Sequence, residues 1–327
     1  MIETTVLGFY PKISEEPGAV NYRNARNRLD SGKITAEDFT KVIGATVERA
    51  VTEQAAAGIT LATDGQIQWD DLVSPFARGW NNLETGGLLR FFDNNTYYRR
   101  AQIRGEIGIE HPVAAADYKL ASKSAKRPLK GVLPGPLTFA SMSDDHHFND
   151  ERALISALAT ALNKEAKALQ EAGCEQLQID EPFLCKNPEK ADMLAAALRA
   201  MLSGVTMRTT LAVYFGELAP LVPALWQLPV DGFFLDCVSK PGNLEVALDA
   251  PADRTVVYGI TDSRNTGRES AAYLKQTLEL IASRRPGCEN WVAPSAQLEF
   301  LPHSDLLHKL RDLTAAVEAH NQHAEKE

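Results

Sequence analysis

The chain has 327 residues, 44% hydrophobic and 24% charged, an ordinary globular composition with length enough for one large α/β barrel or two smaller domains. A formal net charge of −9 disfavours a broad electrostatic grip on nucleic acid or an acidic membrane and favours small-molecule partners. Cys174, Cys185, Cys237 and Cys288 form no Cys-x-x-Cys pair, which speaks against a disulfide framework or zinc ribbon and fits a reducing cytoplasm. No run of about 18 apolar residues occurs, and "MIETTVLGFYPKI" lacks a basic segment before a long apolar one, so neither a membrane span nor a signal peptide is expected.

In chain order, "TTVLGFY" reads as a first strand. The stretch 34–58 then predicts a helix capped by Thr35 and stopped by Gly58, with Phe39, Val42, Ile43, Val47, Ala50 and Val51 on one face. "ITLATDG" is the second strand. A long excursion at about residues 70–125 follows, "SPFARGWNNLETGGLLRFFDNNTYYRRAQIRGEIGIEHP" being its body. Its Gly-Gly and Asn-Asn turns predict a hairpin subdomain inserted between the second and third strands. That hairpin either simply covers a barrel end or uses Arg78, Arg90, Arg99, Arg100 and Arg104 with its aromatic residues to receive an anionic, partly planar ligand.

The third strand is "LKGVLPG". After it, "SDDHHFND" offers Asp144, Asp145, His146 and His147, adjacent groups that make poor pre-formed metal geometry and read as a solvated loop. Helix 149–173 leads to "CEQLQID", then come "MRTTLAVYF", "VDGFFLDCV", "RTVVYGITD" and "NWVAPSAQ", and a last helix over 303–322 with Ser304 as cap. Eight strand and helix units predict a (β/α)8 TIM barrel spanning 1–327 as a single domain. An open doubly wound sheet is the alternative, but it gives no natural use to the eighth unit.

Chemistry in such a barrel gathers where strands end. Those positions are Phe9 and Tyr10, Asp64 and Gln66, Pro134 to Pro136, Asp180 and Glu181, Tyr214, Asp236 and Cys237, Asp262, Arg264 and Asn265, then Ser295 and Gln297. "QIDEPFL" ends a strand on two acids and a proline, which puts Asp180 and Glu181 at the rim. Several carboxylates facing one cavity raise one another's pKa and suit acid–base work or the holding of an amino group. Taken singly, Asp64, Asp180 and Asp262 read equally well as helix caps or arginine partners. Cys185 and Cys237 have no histidine placed beside them and read as buried thiols rather than nucleophiles. "PGPL" is no Gly-x-Gly-x-x-Gly and no Walker sequence is present, so nucleotide phosphate binding has no support.

The motifs "TDGQIQWDDLV", "GVLPGPLTFA", "LQIDEPFL", "YFGEL", "LPVDGFFLDCV" with "PGNLE", "GITDSRNTGRE" and "WVAPSAQLEFLP" together resemble the cobalamin-independent methionine synthase family from about residue 4 to about 315. The resemblance implies a (β/α)8 barrel. It also implies methyl transfer from a methylated folate, or another methyl donor, to homocysteine sulfur activated by zinc. Zinc would be needed because a free thiol is mostly protonated at neutral pH whereas a zinc-bound one is deprotonated.

The zinc ligands are replaced. The family's His-x-Cys falls on Leu211, Ala212 and Val213, its glutamate ligand on Asp236, and its last cysteine on Ala296. Gln66 stands where the family has an amino-acid-binding glutamate, while Asp180 matches the aspartate that contacts the homocysteine amino group. "YFGEL", "LPVDGFFLD" and "GITDSRN" are closer to the zinc-less N-terminal barrel of long synthases than to the zinc barrel. Two readings follow. One is a zinc-independent enzyme on a small thiol or amino acid, with Asp180, Glu181 and Asp262 as acid or base, Arg264 stabilising negative charge, and Tyr10, Asp64, Gln66, Tyr214, Asp236, Asn265 and Gln297 binding substrate. The other is an accessory binding barrel that works with a separate zinc-bearing methyltransferase chain.

Overall fold

The computed structural model describes residues 1–15, 18 and 21–324. In chain order it has β1 Ile2–Thr4, α1 Tyr22–Asp30, α2 Ala36–Ala56, β2 Ala62–Thr63, α3 Ser74–Gly79, β3 Asn81–Arg90, β4 Tyr97–Gly108 and α4 Ala114–Ser122. Then follow β5 Leu129–Pro134, α5 Pro136–Ser141, β6 Ser143–Asp145, α6 Glu151–Glu171, β7 Gln176–Asp180 and α7 Ala191–Met201. The last third holds β8 Arg208–Val213, β9 Gly232–Asp236, α8 Asn243–Leu248, β10 Thr255–Thr261, α9 Ala271–Arg284, β11 Asn290–Pro294 and α10 His303–Ala324.

Eight strands pair in parallel in the order β1-β11-β10-β9-β8-β7-β5-β2. A parallel bridge between Thr5 and Leu61 brings the two ends of that sheet together, so it curls round on itself. Each of the eight strands expected from the sequence contributes, though the first two are shorter than their apolar runs. β1 stops at Thr4 because the following segment turns out of the ladder: Gly8 and Phe9 have φ of +132° and +55°. Their neighbours are held elsewhere, Phe9 N by the Gln66 side chain at 2.7 Å and Tyr10 N by Gly65 O at 2.8 Å.

The sheet's faces follow the two-residue period. On β7, Leu177 and Ile179 join the shell under α6 and α7, while Gln178 and Asp180 belong to the barrel interior. α2 begins in a capping box, Thr35 Oγ1 accepting from Asp38 N and Asp38 Oδ2 from Thr35 N, and buries Phe39, Val47, Ala50 and Val51. Asp150 caps α6 through Ala153 N at 2.9 Å. Ser304 is not a cap: α10 starts one residue earlier, and the Ser304 amide donates to Glu15 Oε2 at 3.2 Å.

Between β2 and β5 the chain forms α3, the antiparallel pair β3–β4, and α4. The "SDD" of the expected solvated loop is instead the short strand β6, parallel to β4. It is tied by His146 Nε2 to Gln102 Oε1 (2.8 Å) and by His147 Nε2 to Glu106 Oε1 (3.1 Å).

Candidate functional site

Asp180 ends β7 with no solvent exposure. Gln178, two residues earlier on the same face, donates from Nε2 to Asp180 Oδ1 at 2.6 Å, and the Tyr214 hydroxyl donates to Oδ2 at 3.1 Å. Gln297 bonds Tyr214 in turn. Burial pushes the Asp180 carboxyl up from its ordinary value, while these two hydrogen bonds and the Lys130 charge pull it back. The Tyr214 phenol is pushed well up by burial and by Asp180. Asp180, Tyr214 and Gln297 thus form one cluster.

Asp64 and Gln66 form a second group at the mouth. Asp64 Oδ1 accepts from both Gln66 N (3.3 Å) and Gln66 Nε2, and burial raises the Asp64 carboxyl to about 6. Since Gln66 Oε1 is also the acceptor for Phe9 N, this amide joins the loops after β1 and β2. The Gly8 backbone lies against it so closely that a Cβ there would overlap Gln66 Oε1.

Other strand-end residues face elsewhere. Glu181 accepts at Oε2 from Leu137 N (3.2 Å) and at Oε1 from Thr138 N (2.5 Å) and Thr138 Oγ1, so both oxygens cap the start of α5. Tyr10 points outward to Glu53 Oε2 (2.8 Å), which also meets His303 Nε2 (2.7 Å), a link between the barrel and its outer helices. Asp236 accepts from Phe215 N, Val238 N and Ser239 N at 2.9–3.0 Å. Asp262 and Asn265 serve turns of their own loop, accepting from Arg264 N and Gly267 N. Burial and the neighbouring Asp236 push the Cys185 thiol up to about 12 and Cys237 higher still, the setting of inert thiols.

Arg264 reaches across the mouth. It bonds Asp93 Oδ1 at 3.1 Å and Ser239 Oγ at 3.1 Å, and its guanidinium lies 5.2 Å from the Phe215 ring centre. The turn between β3 and β4 therefore rests on the strand ends. Phe91 and Phe92 meet Phe215 at 6.0 and 5.4 Å, Phe92 meets Phe183 at 4.9 Å, and Phe300 meets Phe215 at 5.8 Å. The arginines of this region are engaged within it: Arg78 with Asp70, Arg90 with Asp93 O and Asn94 O, Arg99 with Gly86 O, Arg100 with Asp144, and Arg104 with Glu84.

Under this cover a cavity of only ≈ 10 Å³ remains, lined by Phe9, Asp71, Tyr98, Met142, Gln297 and Glu299. Burial raises Glu299 to about 7. An amino acid does not fit that space, whose lining does not include Asp180 or Tyr214. A wider concavity, ≈ 1150 Å³, is a groove between α9 and α10 on the outer wall. Its lining contains none of the strand-end groups, and we do not assign the site to it.

The family model for the N-terminal domain of cobalamin-independent synthase matches residues 63–286. The chain belongs to this family. A methionine synthase from Sulfolobus acidocaldarius is 27% identical over 311 residues, covering 95% of this chain and 89% of that protein. The methionine synthase of Sulfurisphaera tokodaii is likewise 27% identical, over 96% of this chain and 90% of its own length. The B12-independent methionine synthase from Shewanella sp. W3-18-1, solved in complex with selenomethionine, superposes with a TM-score of 0.85 at 20% identity over the full length of both chains. This last likeness fixes the fold.

The residues present do not fit the zinc that the family resemblance implies. Leu211, Ala212, Val213 and Ala296 are buried apolar groups without a donor, and Asp236 already accepts from three backbone amides. Among the described residues no group of three or more His, Cys, Asp or Glu is placed to hold a metal.

Reading strand ends alone missed Lys130 and Gln178 within the barrel, Glu299 under the cover, and Phe91, Phe92 and Phe215 across it. The signal for the first two was period: in "QLQID" and "LKGVLP" polar residues fall on the inward face of otherwise apolar strands.

Proposed function

We propose that this barrel is a methionine-synthase-like enzyme that takes an amino acid of the methionine or homocysteine type at its mouth, with Asp180 facing the ammonium group, and that it works without the family's zinc. The observation that carries the reading is the Asp180 carboxylate itself. It is buried, oriented by Gln178 and Tyr214, and has no ion-pair partner among the described residues. A carboxylate so placed gains from an incoming ammonium. The selenomethionine held by the Shewanella protein supports the same ligand class.

The antiparallel pair β3–β4 acts as the lid of this site, with Arg264 as its clasp and Gln66 and Gln297 beside the ligand. A methyl donor, methylated folate or another, would enter from the same face. Calorimetric titration with L-methionine and L-homocysteine tests the reading. Asp180→Asn should bind at least about tenfold more weakly, the equivalent of about 1.5 kcal/mol for a charged hydrogen bond. Unchanged affinity would remove Asp180 from the role. Elemental analysis of protein purified without chelator addresses the metal: about one zinc per chain would restore zinc-assisted thiol chemistry.

A second reading is favoured by one finding, that the family match is to the N-terminal domain. In it the barrel binds ligand but turns over only beside a zinc-bearing methyltransferase chain. Methyl transfer by the isolated protein would exclude this, and transfer seen only after mixing the two would establish it.

A further inference from the structure

Lys130 is a lysine inside the barrel, with 4% of its surface exposed. It stands on β5 just before Gly131, which pairs with Leu177, whereas Pro134 at the end of that strand pairs with Asp180. Nζ donates to Thr5 Oγ1 on the β1 side at 2.9 Å and lies 5.9 Å from the Phe234 ring centre on β9. An ammonium has three donors, and Thr5 is the acceptor for one of them.

Gln178 shares a void with Lys130 and a hydrogen bond with Asp180. Its Nε2 bonds both Asp180 Oδ1 and Leu7 O, and its buried Oε1 has no partner. Thr5, Lys130, Gln178 and Thr210, together with the Arg208–Glu289 ion pair, border a void of ≈ 20 Å³, room for one water beside Lys130 and Gln178. Other groups around Asp180 supply no positive charge. On its own strand there is Glu181, committed to α5; β8 brings the Tyr214 phenol; the β1 side brings a carbonyl, Leu7 O. Asp64 from the β2 side shares a wall with Lys130, and Asp236 at the end of β9 is held by amides. Among the described residues, Asp180 is the charge that favours the ammonium of Lys130, and Lys130 is the cation that favours the carboxylate of Asp180.

We propose that Lys130 is a positioning residue: from the barrel interior it supplies a countercharge that favours the ionised form of Asp180 and, through a water and Gln178, keeps its carboxylate aimed at an ammonium-bearing ligand. The ligand half of this statement rests on the function proposed above; the electrostatic half does not. Burial opposes both charges, lowering Lys130 and raising Asp180; the Gln178 and Tyr214 hydrogen bonds favour the ionised Asp180 first, Lys130 adds to them, and Asp180 in turn favours the charged Lys130.

The test is a pH titration of the Asp180 carboxyl 13C shift in ligand-free protein. Lys130→Met should move its midpoint up by about one pH unit or more, and Lys130→Arg should hold it near the wild-type value. An unmoved midpoint in Lys130→Met overturns the proposal. Should that variant fail to fold, the reciprocal measurement decides: in Asp180→Asn the Lys130 13Cε titration should fall, since coupling is mutual, and no movement overturns the proposal. An unmoved titration with weakened amino-acid binding in Asp180→Asn would retire Lys130 and keep the proposed function. The opposite pattern would keep the coupling and retire the ligand.

Discussion

The barrel interior and the lid above it use polar groups in opposite ways. In the lid charges are dense, yet every arginine of the excursion has a partner within it or beside it, from Arg78 with Asp70 to Arg104 with Glu84. Inside the barrel polar groups are few and incompletely satisfied: Lys130 is bonded to one hydroxyl, Gln178 Oε1 to nothing, and Asp180 has no cation in contact. Charge density alone therefore does not distinguish a ligand site from a self-paired surface. A site for a charged ligand is better marked by groups whose bonding is unfinished, because burial of an unpaired charge persists only where something offsets it.

The comparison can be broken most forcefully with pH. Burial raises Asp64 to about 6, Asp180 to about 7 and Glu181 to about 8, from ordinary values of 3.8 to 4.5. The folded chain then binds more protons than the unfolded one between those limits, so stability is full below the ordinary values and declines as pH rises through the raised ones. One net proton corresponds to about 1.4 kcal/mol per pH unit, so urea unfolding should show a loss of about 3 kcal/mol or more between about pH 5 and about pH 7. A flat profile would mean that the interior acids are not desolvated. Above about pH 7 the lowered Lys130 works in the other direction, since the unfolded chain then holds the extra proton.

Glu181 separates the interior from the seam next to it. It adjoins Asp180 in sequence and is equally buried, but its oxygens hold Leu137 and Thr138 at the start of α5. Glu181→Ala should cost about 2–3 kcal/mol, because two amides and a hydroxyl lose their acceptor and a cavity opens. Thermal unfolding would report it. Ligand affinity per folded molecule should stay within about threefold of wild type, and a large loss would return Glu181 to the site.

These two acids also show what a sequence can disclose. The eight strands, the Thr35 capping box and the placing of Asp180 at a strand end follow from period and from short-range capping rules that act within a few residues. The fates of Glu181, Tyr10 and Asp236 do not, because each depends on a group brought near by the tertiary fold: Thr138, Glu53 and the Phe215 amide. The arginines left two readings open for a related reason. Composition reveals that the lid is basic and aromatic, but only the pairing of β3 with β4 and β6 reveals that the charges are matched.

Gly8 tests the edge between the regions. With φ at +132° and Gln66 Oε1 against it, Gly8→Ala adds backbone strain and a steric overlap at the loop that lies over Asp64. A loss of about 1–3 kcal/mol is expected in chemical denaturation. Gly87, in the lid, has open space around it, and Gly87→Ala should change stability by less than about 0.5 kcal/mol.

A small effect on stability should also come from the clasp, and it is the most informative about the lid. Arg264 is part-exposed, and its contacts with Asp93 and Ser239 lie at the rim, so Arg264→Ala should cost less than about 1 kcal/mol globally. Locally the change differs. Without the guanidinium over Phe215, the 91–98 turn keeps its aromatic contacts with Phe183 and Phe215 but loses the bonds that tie it to the β10 loop. Hydrogen exchange should then quicken at residues 91–98 while β7 and β8 stay protected, since opening of the lid needs no unfolding of the barrel. With β3–β4 as the lid of the proposed site, a looser clasp should also raise the association rate for methionine in stopped-flow binding. Uniform exchange across lid and barrel would mean that the two regions open as one, and the contrast between them would fail.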